Sequence, residues 1–374
     1  MNNAYALYSN LLFAKAGNCG IPLSGTFELT ARCNLDCRMC YIHRRENDAA
    51  ARAGELTAAQ WLALAEDCRD AGTLLLLLTG GEPFLRPDFR EIYTGCRRMG
   101  MLVSINSNAT LIDSGAVDFL AADPPARVNI TLYGASPETY GALCGDPTAY
   151  DRAVGAILAL KAANIPVKLN FSITPYNRQD AERVYAFARE HELPLQAASY
   201  MFPPVRACEF GGCRGERSSP LEAAEDQMAW DKLRFPPDEL RRRWRDQLAG
   251  VRVEDPDREC QELPNERIRC RAGSTTFWIT WDGQMRPCGL MTEPTADVNT
   301  LGFPAAWQAT RAARESIMVP PACTSCKYSH ACEQCAALCR AETGSFTGVP
   351  EYVCEKTRAY LELAARALEE PSGN

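Results

Sequence analysis

Apolar residues along the first two-thirds of the chain alternate between short continuous runs and stripes at helical spacing. Residues 27–30 and 74–79 read as strands, and the second is five leucines followed by a threonine. That uninterrupted pattern suits a parallel strand covered on both faces. Between them, over 56–71, Trp61, Leu64, Ala65 and Cys68 recur at 3.6 spacing and predict an amphipathic helix. Phe89, Ile92, Tyr93 and Cys96 mark the next helix face. Strand patterns return at 102–106, 128–132, 167–173 and 195–200, with helical stretches between. Six such units predict an α/β fold: an open, partial (β/α)6 TIM-like barrel rather than a closed eight-unit one. In barrels of this kind the chemistry gathers at the C-terminal strand ends.

The alternation stops near residue 203, where Pro203-Pro204, Gly211-Gly212 and Pro236-Pro237 punctuate charged helical stretches. The expected organisation is an N-terminal segment (1–23), the barrel (24–215), a helical bridge (216–265) and a small cysteine-rich domain ending in a helix (266–374). Net charge is −7, which argues against a general nucleic-acid binder. The basic run Arg241-Arg242-Arg243-Trp244-Arg245 reads as a solvated helix face. The longest apolar run is the five leucines, too short to span a bilayer. The N-terminus lacks the basic region of a signal peptide, so a cytoplasmic location with reduced thiols is expected.

Against that background 18 cysteines need an explanation, and metal binding rather than disulfide formation supplies it. The three histidines form no H-x3-H pair, so a His-ligated hydrolytic centre is poorly supported. The most informative cysteines are Cys33, Cys37 and Cys40, spaced C-x3-C-x2-C directly after the first strand. Three thiolates so close in sequence can hold three corners of an iron–sulfur cube and leave the fourth iron open. A partial zinc site is the competing reading of the triplet alone. Farther on, strand 74–79 runs into Gly80-Gly81-Glu82-Pro83. Cys19, Cys68 and Cys96 are assigned no role beyond packing.

Taken together and in order, the two motifs resemble the signature of the radical S-adenosylmethionine (SAM) superfamily, over roughly residues 24–215. The resemblance implies a [4Fe–4S] cluster on Cys33, Cys37 and Cys40 whose open iron chelates SAM. The reduced cluster cleaves SAM to methionine and a 5′-deoxyadenosyl radical, which takes hydrogen from the substrate. It also implies SAM contacts from the backbone of Gly80, Gly81, Glu82 and Pro83, from Met39 near adenine, and from Thr131. The glycines are expected to let the backbone approach the ligand. Asn106-Ser107-Asn108 carries groups suited to a ribose, and a simple turn is the alternative. Many relatives carry an Arg-Gly pair facing the SAM carboxylate; here Leu143-Cys144-Gly145 stands in its place.

From residue 260 onward nine cysteines follow. Cys270-x12-Gly283-x4-Cys288, then Cys323-x2-Cys326-x5-Cys332, then Cys335 or Cys339, then Cys354, resembles the SPASM extension, which carries one or two auxiliary clusters. Asp282-Gly283 reads as a tight hairpin turn bringing Cys288 back beside Cys270. The resemblance implies Cys270, Cys288 and a later cysteine on one cluster, and Cys323, Cys326, Cys332 and Cys354 on another. Cys335 is favoured over Cys339 as a ligand. Cys208, Cys213 or Cys260 could complete the first cluster, or it could stay open. A zinc ribbon is the alternative for these Cys-x2-Cys pairs.

In the SPASM group common substrates are peptides and proteins. Sulfatase-maturing relatives carry aspartate directly after the cysteine matching Cys288, whereas this chain has Gly289. The resemblance therefore points to thioether, carbon–carbon or related crosslinking of a ribosomally made peptide. A flavodoxin- or ferredoxin-type reductant goes with that chemistry. Only 32 residues precede Cys33, so leader recognition is expected from a separate partner or another surface. A small-molecule cofactor precursor or tetrapyrrole, a sulfatase-type protein, and a non-enzymatic metal or electron-transfer role are the alternatives.

Overall fold

The computed structural model describes residues 3–42, 44–204, 206, 216–251, 268 and 270–370. Nine strands form one sheet: β1 Ser24–Glu28, β2 Leu75–Thr79, β3 Leu102–Ser107, β4 Arg127–Thr131, β5 Val167–Ser172, β6 Leu195–Ala198, β7 Thr276–Ile279, β8 Gln284–Arg286 and β9 Ala296–Asp297. Their spatial order is β9-β8-β7-β1-β2-β3-β4-β5-β6. All pairs from β7 to β6 are parallel, and β7-β8-β9 is an antiparallel meander. The α/β architecture is the one the sequence pattern predicts. The Asp282-Gly283 turn joins β7 to β8, with Gly283 at φ +85°. The hairpin it closes adds β7 directly to the free edge of β1.

The strands alternate faces. One face is apolar and covered by helices: Val103, Ile105, Val128, Ile130, Leu169 and Phe171 are all at most 1% exposed. Phe27 on β1 meets Trp61 of the Ala58–Asp70 helix at a 4.7 Å ring separation. That helix begins at a capping box of Thr57 and Gln60. Cys68 and Cys96 are fully buried in this core. Cys19 is exposed.

The first strand differs from expectation, since it spans Ser24–Glu28 rather than 27–30. Ser-Gly-Thr carries no apolar signal. The Phe277 ring on β7 fills the space a Cβ at Gly25 would occupy, 2.3 Å away. A small residue is required there by a contact from a segment some 250 positions later.

The basic run at 241–245 is also more than a solvated face. It lies in the Pro237–Leu248 helix, where Trp244 is buried and bonds Tyr360 Oη at 3.1 Å. Arg241 donates to the Ala367 and Leu368 carbonyls, both at 2.9 Å, near the end of the Glu351–Glu369 helix. A cation there satisfies terminal carbonyls and the helix dipole.

Candidate functional site

The cysteine triplet hangs from the C-terminal end of β1, where the chain leaves the sheet. Beneath it lies a buried ionic knot that the sequence does not announce. Arg32, just before Cys33, bonds Glu55 through Nε at 2.7 Å and Nη2 at 3.0 Å. Thr30 Oγ1 also donates to Glu55. Arg86 reaches the Leu29 carbonyl at 2.8 Å, the Leu56 carbonyl at 2.9 Å and Asp88 at 2.7 Å. Every carbonyl and carboxylate in this knot has a donor, as burial demands.

The triplet loop is gripped from its far side as well. The backbone N–H groups of Asp36 and Arg38 donate to the carbonyls of Cys144 and Leu143, both at 3.0 Å. The Pro137–Cys144 helix presents those carbonyls as it ends at Gly145, φ +77°. So the segment standing where relatives carry Arg-Gly pins the triplet loop through its backbone. The buried Cys144 thiol accepts from Cys37, and this bond, then burial, raises the Cys37 thiol well above its usual range. Burial likewise raises Cys33.

Cys33 Sγ accepts from Leu35 N at 3.4 Å and from Asn108 Nδ2 at 3.6 Å. Asn108 is itself fixed by Asn34 and Thr110. An open pocket of about 350 Å³ adjoins Cys33, Asn34, Leu35 and Asp36. Among the described residues no three His, Cys, Asp or Glu side chains converge as ligands of a single metal ion. A cube takes its thiolates at separate corners, and N–H···S donors of this kind tune its potential. The donor set and the adjoining pocket fit such a cluster.

Gly80 and Gly81 have a reason within the chain itself. A Cβ on Gly80 would meet the Thr30 carbonyl at 2.4 Å, and one on Gly81 the Arg32 carbonyl at 2.3 Å. Gly81 N and Glu82 N donate to Thr30 O and Arg32 O at 2.7 and 3.0 Å. The glycines let this turn press against the backbone that leads into the triplet. Pro83 opens a short 3-10 turn and is buried. Glu82 is fully buried and accepts from Ser107 Oγ (2.9 Å), Asn108 N (2.8 Å) and Phe84 N (3.1 Å). Burial outweighs these donors and pushes its carboxyl up to about 7. Ser107 is thus committed to Glu82. Met39 is half-buried and borders a small cavity with Thr174 and Tyr176.

The sheet's other face, the inner wall, carries Leu75 and Leu77 on β2 and turns polar across β3 to β6. Strand register places Asn106, Asn129 and Lys168 in one row. Thr131, Asn170 and Gln196 form the next. Asn129 Nδ2 donates to Asn106 Oδ1 at 2.9 Å, and Lys168 Nζ to Gln196 Oε1 at 2.5 Å. The chain beyond β6 crosses back to β1: Arg206 grips Glu28 through both Nη atoms, at 3.0 and 2.6 Å. Trp278 Nε1 donates to the same carboxylate at 2.9 Å. Arg206 and Glu28 were not singled out by the sequence pattern; a lone acid at the end of the strand that leads into the cysteine triplet is the signal that could have found Glu28.

The C-terminal cysteines divide into two neighbourhoods. Burial lifts the Cys335 thiol to about 12, and among the neighbouring thiols Cys288 and Cys270 add most to that rise. Cys335 caps the Ala336–Thr343 helix, accepting from Leu338 N. Cys323, lifted to about 11 by burial, is surrounded by Cys339, Cys332, Cys354 and Cys326. Cys335 at the cap and Cys339 four residues on face mainly different cysteines, although Cys339 also acts on Cys335. Cys208, Cys213 and Cys260 lie outside the described residues.

An open parallel barrel with a three-thiol loop over the end of its first strand, extended by a cysteine-rich region, defines a class of iron–sulfur enzyme. Residues 27–188 match the model of the radical SAM superfamily, and the chain carries a radical SAM domain, which works with a [4Fe–4S] cluster and SAM. The chain is 25% identical over 334 residues to an AdoMet-dependent heme synthase of Methanosarcina barkeri, covering 86% of this chain and 93% of that one. It is 26% identical to the sporulation killing factor maturation protein SkfB of Bacillus subtilis, over 74% of this chain and 63% of that one. Among solved structures, Streptococcus suis SuiB bound to SAM aligns with TM-score 0.63, 18% identity and coverage of 95% and 83%. The structure of anSMEcpe with bound AdoMet aligns with TM-score 0.65, 17% identity and coverage of 93% and 98%. These two likenesses establish the shared fold. Among the described residues no helix is long and apolar enough to cross a membrane.

Proposed function

We propose that this radical SAM enzyme modifies a ribosomally made peptide within the barrel. The observation that carries this reading is the inner wall of Asn106, Asn129, Asn170 and Gln196. Carboxamides both donate and accept, so they can bond a peptide backbone, whereas a flat apolar macrocycle is better met by apolar walls. In this reading Cys33, Cys37 and Cys40 hold the SAM-binding cluster. Cys270, Cys288 and Cys335 hold one auxiliary cluster, and Cys323, Cys326, Cys332 and Cys354 a second. When bound, the cluster and SAM supply one-electron chemistry able to remove hydrogen from carbon. The chain's own part is to hold that group and to exclude water. Glu82 and Asn108 fix the floor beside Cys33, the Leu143 and Cys144 carbonyls fix the loop, and Thr131 stands on the inner face of β4.

A tetrapyrrole substrate is the second reading, favoured by the similarity to a heme synthase over most of both chains. Anaerobic incubation with SAM, strong reductant and each candidate separates the two. Peptides encoded beside the gene are expected to lose two hydrogens in mass as 5′-deoxyadenosine accumulates. Turnover of a porphyrin with no change in any such peptide rejects the peptide reading. A Cys33/Cys37/Cys40→Ala variant is expected to lose about four irons per chain and all SAM cleavage.

A further inference from the structure

The side of the barrel between β6 and β1 is closed by a charged cluster that its protein partners do not complete. Glu28 is fully buried. Its two oxygens are taken by the forked Arg206 and by Trp278 Nε1. Burial opposes the charge on Arg206, but the Glu28 carboxylate more than offsets it. Beside this pair stands a second guanidinium, Arg286 on β8. It is cross-strand partner to Trp278, so it shares the face that carries Trp278 and Glu28 toward the inner wall. Arg286 has much weaker support than Arg206. Its one described hydrogen bond is Nη1 to the Met291 carbonyl, at 3.3 Å, and its Nε is buried without a partner. The carboxylates acting on it are Glu28, already saturated by other donors, and Asp282, which accepts from Thr280 in the turn. A half-buried guanidinium with one buried, orphan N–H beside a second cation is a costly arrangement for the protein alone. A carboxylate arriving from the barrel would relieve both costs, because the fork of Arg matches it.

We infer that Arg286, backed by the Arg206–Glu28 pair and the Trp278 indole, binds a carboxylate of the substrate at the open side of the barrel. This rests on reading the inner wall as the substrate chamber, and it adds to that reading the chemical class of the group recognised. A peptide carboxylate and a tetrapyrrole propionate share this chemistry, so the test carries an arm for each.

The anaerobically reconstituted full chain is titrated with two pairs of probes, followed by calorimetry. One pair is the peptides encoded beside the gene, as free acids and with every carboxyl amidated. The other is coproporphyrin III and its tetramethyl ester. In at least one pair the acid form is expected to bind more tightly than the neutral form. Arg286→Gln is expected to weaken the acid form about tenfold to a hundredfold, the range for a lost charged hydrogen bond, and to leave the neutral form unmoved. Arg286→Lys keeps the charge without the fork and is expected to fall between. It carries the test should Arg286→Gln fail to fold, as judged by iron content and circular dichroism. An acid preference in the porphyrin pair alone keeps the carboxylate site and rejects the peptide reading. Equal weakening of acid and neutral forms, or no acid preference in either pair, overturns the proposal.

Discussion

Glu82 is one carboxyl whose position explains much of the motif around it. It sits with no solvent exposure behind Cys33, tied to Ser107, Asn108 and Phe84. Its folded-state value of about 7 lies above the ordinary 4.5. A carboxyl raised in the folded state makes its full contribution to stability below pH 4.5, and that contribution is lost as pH rises through 7. In the cluster-free chain, Glu82→Gln should therefore lose less stability than wild type on going from pH 5 to pH 8. The difference is about 2–3 kcal/mol, read from urea midpoints at the two pH values. An unchanged difference would mean the carboxyl is already ionised at pH 5. The neighbouring glycines were legible as necessary, but their reason was not. The sequence suggests a ligand brought close; the structure adds that the backbone of 30–32 occupies the space a Cβ would take. That contact joins two segments fifty residues apart, and no local pattern encodes it.

The hairpin of β7 and β8 shows the same division at the level of an element. Its turn, its strands and the return of Cys288 toward Cys270 were all readable from Asp282-Gly283 and the aromatic alternation before it. Its docking was not. β7 lies parallel to β1, with Phe277 buried against Gly25 and edge-on to Phe303 at 5.1 Å and Trp307 at 6.0 Å. Phe277→Ala removes that anchor and should cost about 3–5 kcal/mol, measured as a lowered urea midpoint. Loss of this size without change in the helix content of the barrel would place the damage at the β1 edge. A mutant as stable as wild type would show that the hairpin is held elsewhere.

At the scale of the whole molecule the described C-terminal cysteines divide in a way that follows the fold rather than the order of the chain. Cys335 joins Cys270 and Cys288, although Cys332 beside it in sequence belongs with Cys323, Cys326 and Cys354. Replacing Cys270, Cys288 and Cys335 together with alanine should remove about four irons per chain, and replacing Cys323, Cys326, Cys332 and Cys354 a separate four or so. In both variants the triplet's iron is expected to stay. Iron and sulfide assays, with electron paramagnetic resonance of the reduced protein, check this. A single variant that strips all iron would show that the sets do not form independently.

Strand and helix periodicity and the two SAM-associated motifs were enough to set the α/β class, the partial barrel and the superfamily resemblance. All of these depend on residues near one another in sequence, where spacing alone constrains geometry. The Arg32–Glu55–Arg86 knot, the polar part of the inner wall, the Arg206–Glu28 closure beside Arg286 and the parting of Cys335 from Cys339 came from the folded chain alone. Each joins groups far apart in sequence, or turns neighbours to opposite sides. A charged or amide side chain carries no local mark of whether it will meet water or its partner across the barrel.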